Sequence, residues 1–284
     1  MSRQHRTRCP LTGVLSWGIL GLAVATVIAQ FVSAVCSVVY LFVRYPEVRF
    51  SLSDLKAGAR AYGDMFVTGF FMGAMTVIYD IGSVMLQSAI NGLGDQVITA
   101  HTAARKILSM LMQPLITLGT ACATFAGQNY GAKRYARTQK GLLQTCLCSL
   151  VWSAVVFVVL LSFGGDLVVW ISDTKDEEVV RLAVMNLRIN APFYFPLGFI
   201  FPLRMGLQGF NHKIIPVLSG SIEMGVKVLG KYLLVPKFGY VGASFAEPST
   251  WLLCGVFLLI CFLYVVRTDL KPKIENEKRE KDAI

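Results

Sequence analysis

The sequence predicts an all-α membrane protein with about seven transmembrane helices, and three observations carry that prediction. Of 284 residues, 55% are hydrophobic and only 15% are charged; soluble domains carry about 25% charged residues, and the mean hydropathy here is +0.58. The apolar residues also arrive in long blocks. No Asp, Glu, Lys or Arg lies between Cys9 and Val43, or between Gly141 and Gly165, and roughly 20 apolar helical residues cross a hydrocarbon core of about 30 Å. Finally, the polar–apolar alternation of a membrane barrel is absent, and lipid offers no partner to an unpaired backbone group, which leaves closed helices.

Taken in order, the spans run over 19–43, 64–93, 98–127, 141–165, 180–206, 213–235 and 241–266. The first follows Arg3, Arg6 and Arg8, but its apolar block is too long for a signal peptide and no small-residue cleavage site follows it. The second is interrupted by Asp80 alone. The fifth holds Pro192, Pro196 and Pro202; each removes a backbone donor and blocks the carbonyl one turn back, so a bent or broken helix is expected. The sixth is the weakest, being interrupted by Glu223, Lys227 and Lys231.

The connections sort by charge. Arg44, Arg49, Lys56 and Arg60 lie in one loop, Lys133, Arg134, Arg137 and Lys140 in another, and the segment after Val266 is rich in Lys and Glu. Basic loops stay in the cytoplasm, so seven spans put all three there, the carboxyl terminus included. That last segment has no apolar period and is expected to be disordered. The same count sets residues 1–16, with their three arginines, on the outside, against the trend of the rest.

Asp80 is the sharpest feature. A carboxylate at bilayer depth costs at least about 2.5–3.5 kcal/mol, and such groups usually face a bundle interior and hold a cation or proton. The alternative is a neutral Asp hydrogen-bonded to a neighbouring helix. Tyr79, Gln87 and Asn91 flank it, as interhelical glue or as the wall of a wet cavity. Glu223, Lys227 and Lys231 stand at i, i+4 and i+8, an order that favours an intrahelical Glu223–Lys227 pair; Glu223 is otherwise a titrating group. The prolines of span five serve packing or line a cavity through their freed carbonyls. Arg204, Gln208 and Gly209 close that span, and Glu247 with Pro248 stands near the start of the seventh.

Other classes of function find no support. The formal charge of +10 suits basic membrane loops, since no basic stretch is interleaved with stacking aromatics as nucleic-acid binding requires. Cys146 and Cys148 are two apart and form no CxxC pair; the cysteines read as small apolar packing residues. His5, His101 and His212 fall in loops or at span ends, with no zinc or nucleophile motif, so no enzyme and no cofactor is expected. A phosphate-binding loop is also absent, which leaves an ion gradient as the energy source; one charge crossing 100 mV supplies about 2.3 kcal/mol. No motif occurs twice, although internal repeats mark many transporters.

The stretch Met112–Arg134, MQPLITLGTACATFAGQNYGAKR, resembles the eighth helix and following loop of the multidrug and toxic compound extrusion (MATE) family. Other pieces match in order. Trp17-Gly18-Ile19-Leu20-Gly21 with Ala23, Ala25 and Thr26 resembles the start of helix six, and Leu86-Gln87-Ser88-Ala89-Ile90-Asn91 the end of helix seven. Arg204-Met205-Gly206-Leu207-Gln208-Gly209 resembles the end of helix ten, Glu223 the acid of helix eleven, and Ala246-Glu247-Pro248 with Trp251 helix twelve. Three places depart from the family pattern. Gly69-Phe70-Phe71-Met72 stands where a proline is usual, no acid lies between Arg188 and Arg204, and Lys227 replaces an arginine.

The resemblance implies helix six plus one six-helix lobe of a twelve-helix protein. Residues 1–16 are an unplaced basic segment, 17–45 the helix equivalent to family helix six, 46–62 a cytoplasmic linker, 63–266 the carboxyl-terminal lobe and 267–284 a charged cytoplasmic tail. It further implies a plasma-membrane antiporter that exports organic, often cationic, drugs in exchange for Na+ or H+. Its partners would be lipid, drug-like substrates and the missing amino-terminal helices. Its ion and substrate candidates are Asp80 (with Na+ as a metal ligand), Tyr79, Gln87, Asn91, Arg204, Glu223, Lys227 and Glu247. A fragment or scaffold without transport of its own is the alternative.

Overall fold

The computed structural model describes residues 18–45, 58–174, 176–210, 212 and 214–282. The basic segment 1–16, and all but one end of the linker expected over 46–62, lie outside the described residues. The chain divides into two compact units, residues 1–63 and 64–284.

In the first unit, α1 (Gly18–Arg44) is apolar along its length. The second unit takes up most of α2 (Ala59–Asn91), then α3 (Asp95–Gly131), α4 (Tyr135–Ser172), α5 (Glu177–Asn190), α6 (Tyr194–Gly209), α7 (Ile214–Leu229), α8 (Val235–Val265) and α9 (Lys271–Asp282). Five stretches are long and apolar enough to cross a membrane: Ala23–Arg44, Met65–Asn91, Asp95–Gly131, Tyr135–Ser172 and Ile214–Glu277. The last contains two of the expected spans. A wide helical turn over Gly230–Leu234 separates α7 from α8, and α8 is itself broken near its start at Gly239 (φ 55°, ψ −132°). Gly242 meets the Leu234 carbonyl and Gly230 meets Ala246, so the chain doubles back there.

The span expected over 180–206 is two shorter helices. Asp176 caps α5 by accepting from the backbone N–H groups of Glu178 and Val179 at 3.0 and 3.3 Å, and Glu177 and Glu178 suit its positive end. Pro192 then stands in a tight 3-10 turn, Ala191–Phe193, and α6 begins at Tyr194. The proline run thus breaks the helix at its first member, while Pro202 is carried inside α6. The end of the chain corrects the sequence reading. Residues 271–282 are helical, continuing from α8 through a wide turn over Val266–Leu270. Side-chain contacts hold this end. Tyr130 donates to Asp269 at 2.8 Å, Lys273 pairs with Asp269 at 2.5 Å, and the backbone N–H of Ala136 donates to Glu277 at 3.2 Å. Composition alone missed these anchors.

Helix α3 is the hub, packing on α4, α5 and α6, while α8 packs on α6 and α7. The main core gathers Leu115, Leu142, Leu187, Tyr194, Leu207 and Leu258, each fully buried. A second cluster joins α2 to the start of α8 through Leu86, Ile90, Val235, Tyr240, Ala243 and Ala246. Large apolar side chains such as Val151, Val158, Ile260 and Leu263 are exposed, as a lipid-facing surface requires. Where α2 crosses α7, a β-carbon on Gly82 would stand 3.0 Å from the Met224 backbone and 3.3 Å from the Lys227 side chain. A larger side chain would crowd this approach. Gly82→Leu is expected to push the helices apart and to cost about 1–3 kcal/mol, seen as a lower melting temperature in detergent; unchanged melting would show that α2 docks elsewhere.

Candidate functional site

The ionisable groups of α7 fan out to two neighbours. Glu223 is 3% exposed, and Arg204 on α6 donates to its Oε1 at 2.5 Å. One turn on, Lys227 is 1% exposed; its Nζ donates to Ser83 on α2 at 2.8 Å and lies 3.8 Å from the centre of the Tyr79 ring. Lys231 donates to Ser88 at 2.9 Å. The expected Glu223–Lys227 pair is therefore replaced by pairs between helices. Both residues lie on the buried face of α7, where α6 and α2 supply partners that local spacing does not show. A cation over an aromatic ring away from water is worth about 2 kcal/mol. The Arg204–Glu223 pair leaves Glu223 Oε2 and Arg204 Nε buried without partners.

Asp80 lies elsewhere. It is exposed, on the opposite side of α2 from Gly82, Leu86 and Ile90, whereas Tyr79 turns inward beneath Lys227. The expectation that Asp80 faces the interior does not hold for this lobe, because one step of about 100° separates it from its neighbour. The structure therefore brings Tyr79, Arg204, Glu223 and Lys227 to one buried zone and leaves Asp80 outside it. Glu247 on α8 is half-buried and within electrostatic reach of Tyr79 and Lys227.

Asp80 instead shares an outward stripe with Thr76, Gln87 and Asn91. Gln87 donates to Asn91 at 2.9 Å and accepts from Arg105 of α3 at 3.5 Å. Beside it runs a stripe that the sequence reading missed. Thr102, Lys106, Ser109, Gln113, Thr117, Thr120, Thr124 and Gln128 recur three or four residues apart, and all are exposed along one side of α3. The hydroxyls satisfy their own donors on backbone carbonyls of the same helix, as Thr102 does on Ile98 at 2.7 Å and Thr117 on Gln113 at 3.0 Å. Lys106, Gln113 and Gln128 need water or protein opposite them. The period was legible, but average hydropathy hid it. An open groove of about 550 Å³ between α3 and α4, lined by Gln113 and Thr117 of the stripe with Pro114, Leu118, Cys148 and Trp152, holds none of the ionisable candidates. Among the described residues no group of three His, Cys, Asp or Glu side chains is placed to hold a metal ion.

Helices long and apolar enough to cross a membrane, a buried charge pair and a polar face along α3 define a multi-pass membrane protein. The MatE family model matches residues 71–233, more than half of the chain, and the chain belongs to that family. A probable multidrug resistance protein NorM of Thermotoga maritima is 20% identical over 88% of this chain and 54% of its own length. Protein DETOXIFICATION 15 of Arabidopsis thaliana is 30% identical over 51% of this chain and 30% of its own. A MOP superfamily transporter from Pyrococcus furiosus shares the fold with a TM-score of 0.78 at 17% identity, over 90% of this chain and 58% of that one. The chain spans about half the length of most curated relatives it matches.

Removing one member of a buried pair costs about 3–5 kcal/mol, whereas replacing both with apolar groups is often neutral. Glu223→Ala is therefore expected to lower thermal stability in detergent sharply, and the double change Arg204→Met, Glu223→Leu to restore most of it. Equal loss in the single and double variants would mean that the charges serve something other than helix pairing.

Proposed function

We propose that this chain is helix six and the carboxyl-terminal lobe of a plasma-membrane exporter that moves organic cations out of the cell in exchange for Na+ or H+. The observation that carries the reading is the pair of polar stripes on α2 and α3. A side of the lobe bearing Asp80, Lys106, Gln87, Asn91, Gln113 and Gln128 is unsuited to acyl chains and suited to a watered cleft opposite a second six-helix lobe. In that cleft Asp80 holds the coupling ion and the cationic drug in alternation, and Gln87 and Asn91 line the path. Arg204, Glu223, Lys227 and Tyr79 form the pinned interior that holds α2, α6 and α7 in register, with Glu247 at its margin. The basic α3–α4 loop and α9 lie on the cytoplasmic side, following the charge bias of the loops. Family membership and the names of the relatives support drug export, and the stripes support the position of the cleft.

In a protein completed with an opposing lobe, Asp80→Asn should reduce ion-coupled efflux to background while leaving the melting temperature within about 1 °C. Efflux at the wild-type rate would remove Asp80 from the mechanism. A second reading, that residues 1–284 do not transport by themselves, is favoured by the same stripes, whose Asp80, Lys106, Gln113 and Gln128 side chains are exposed in the second unit. Cells producing only these residues should accumulate ethidium as empty-vector cells do. Export above that level would mean that this lobe, alone or self-associated, completes a pathway.

A further inference from the structure

A second cluster of buried polar side chains gathers from α3, α5 and α8. His101, in the second turn of α3, is 5% exposed, and its Nδ1 is buried with no partner. Its ring meets Tyr240 edge-to-face, with centroids 6.0 Å apart. Tyr240 follows the break at Gly239 that turns the start of α8 inward; it is 7% exposed, and its hydroxyl lies near Ser244 and Asn186 without a well-formed hydrogen bond. One turn along α8, Ser244 accepts from Asn186 of α5 at 2.9 Å. Asn190 donates to the Asn186 backbone carbonyl at 2.8 Å and to its Oδ1 at 3.1 Å, leaving its own Oδ1 buried and unpartnered. Leu86, Ile90, Val235, Ala243 and Ala246 cover this end of the lobe.

Three buried polar atoms without hydrogen-bond partners in one cluster of side chains are costly. Each buried group without a partner loses about 1–3 kcal/mol, while a single buried water typically makes about three hydrogen bonds to such groups. One of the three belongs to an imidazole, the side chain whose ordinary titration range spans physiological pH. The charged groups within electrostatic reach of His101 are Glu247 from α8 and Arg105 on its own helix. From α5 the cluster receives the amides of Asn186 and Asn190.

We propose that this cluster holds ordered water against His101 Nδ1 and makes His101 a proton-accepting site of the lobe, separate from Asp80 and the Arg204–Glu223 pair. Water donates to the free Nδ1 lone pair and accepts from the Tyr240 hydroxyl. When a proton is delivered through it, imidazole becomes imidazolium, and the Glu247 carboxylate lies within electrostatic reach of the new charge. The sequence reading assigned His101 to a span end, and neither asparagine drew attention, because an uncharged amide leaves hydropathy almost unchanged.

The test uses the whole chain in lipid nanodiscs carrying His5→Gln and His212→Gln, so that His101 is the sole histidine and the cluster is untouched. Nitrogen-15 NMR of the ring should show a cross-peak to a slowly exchanging water at Nδ1. It should also show a reversible change of protonation between pH 4 and 9 whose midpoint moves by about half a unit or more on Glu247→Gln. Tyr240→Phe should weaken the water cross-peak at least twofold. A ring without bound water, or one that keeps one protonation state throughout that range, overturns the proposal. The readout involves no transport, so it fails or succeeds independently of the export reading.

Discussion

The contact between Arg204 and Glu223 organises the interior of this lobe. Two opposite charges 2.5 Å apart, with side chains 10% and 4% exposed, fix how α6 and α7 face each other, because rotating either helix would strand a charge in apolar surroundings. That rotation in turn sets where Lys227 lies, and Lys227 can reach Ser83 and the Tyr79 ring because Gly82 lets α2 lie close against α7. Three helices are thus registered by one pair and its neighbour on the same face. The apolar core around Leu115 and Leu207 supplies close packing, but leucines interchange more readily than charges and specify orientation less strictly.

Much of this architecture was legible in the sequence, since the blocks free of charge around 141–165 and the proline cluster at 192–202 map onto α4 and onto the α5–α6 break. The site was less so. Helical spacing placed Glu223 and Lys227 on one face correctly, yet it suggested that they pair with each other; their partners sit at positions 204 and 83, outside any local window. Asp80 shows the converse difficulty. A lone carboxylate in a span announces itself by its insertion cost, but which side of the helix carries it depends on where Gly82, Leu86 and Ile90 find their neighbours. Helix α9 was misread because charge and low hydropathy favour disorder only when nothing anchors the segment.

The stripe along α3 illustrates how a membrane helix can be amphipathic without looking so. Its threonines and serine return their hydroxyl protons to the helix's own carbonyls, which keeps the cost of those groups low in any environment. The glutamines and Lys106 have no such escape. A helix of this composition can be inserted with its neighbours and still present a wettable side once the bundle is assembled, and Pro114 lies midway along it. Donors from adjacent helices, Tyr194 to Leu108 and Trp152 to Leu111, occupy carbonyls in the turns just before that proline. The interruption in the hydrogen-bond ladder is thereby stitched to the rest of the bundle.

The unbroken run from α8 into α9 has a mechanical consequence. From Tyr240 to Asp282 the chain stays helical for about 60 Å of rise at 1.5 Å per residue, passing Pro248 and the wide turn at Val266–Leu270, and it is held where Tyr130, Asp269 and Lys273 meet. A helical run gripped there behaves as a lever with its fulcrum at the cluster. Tilting of its inner arm within the bilayer is amplified or resisted according to whether that grip holds, so the charged overhang acts as a handle on the helices inside.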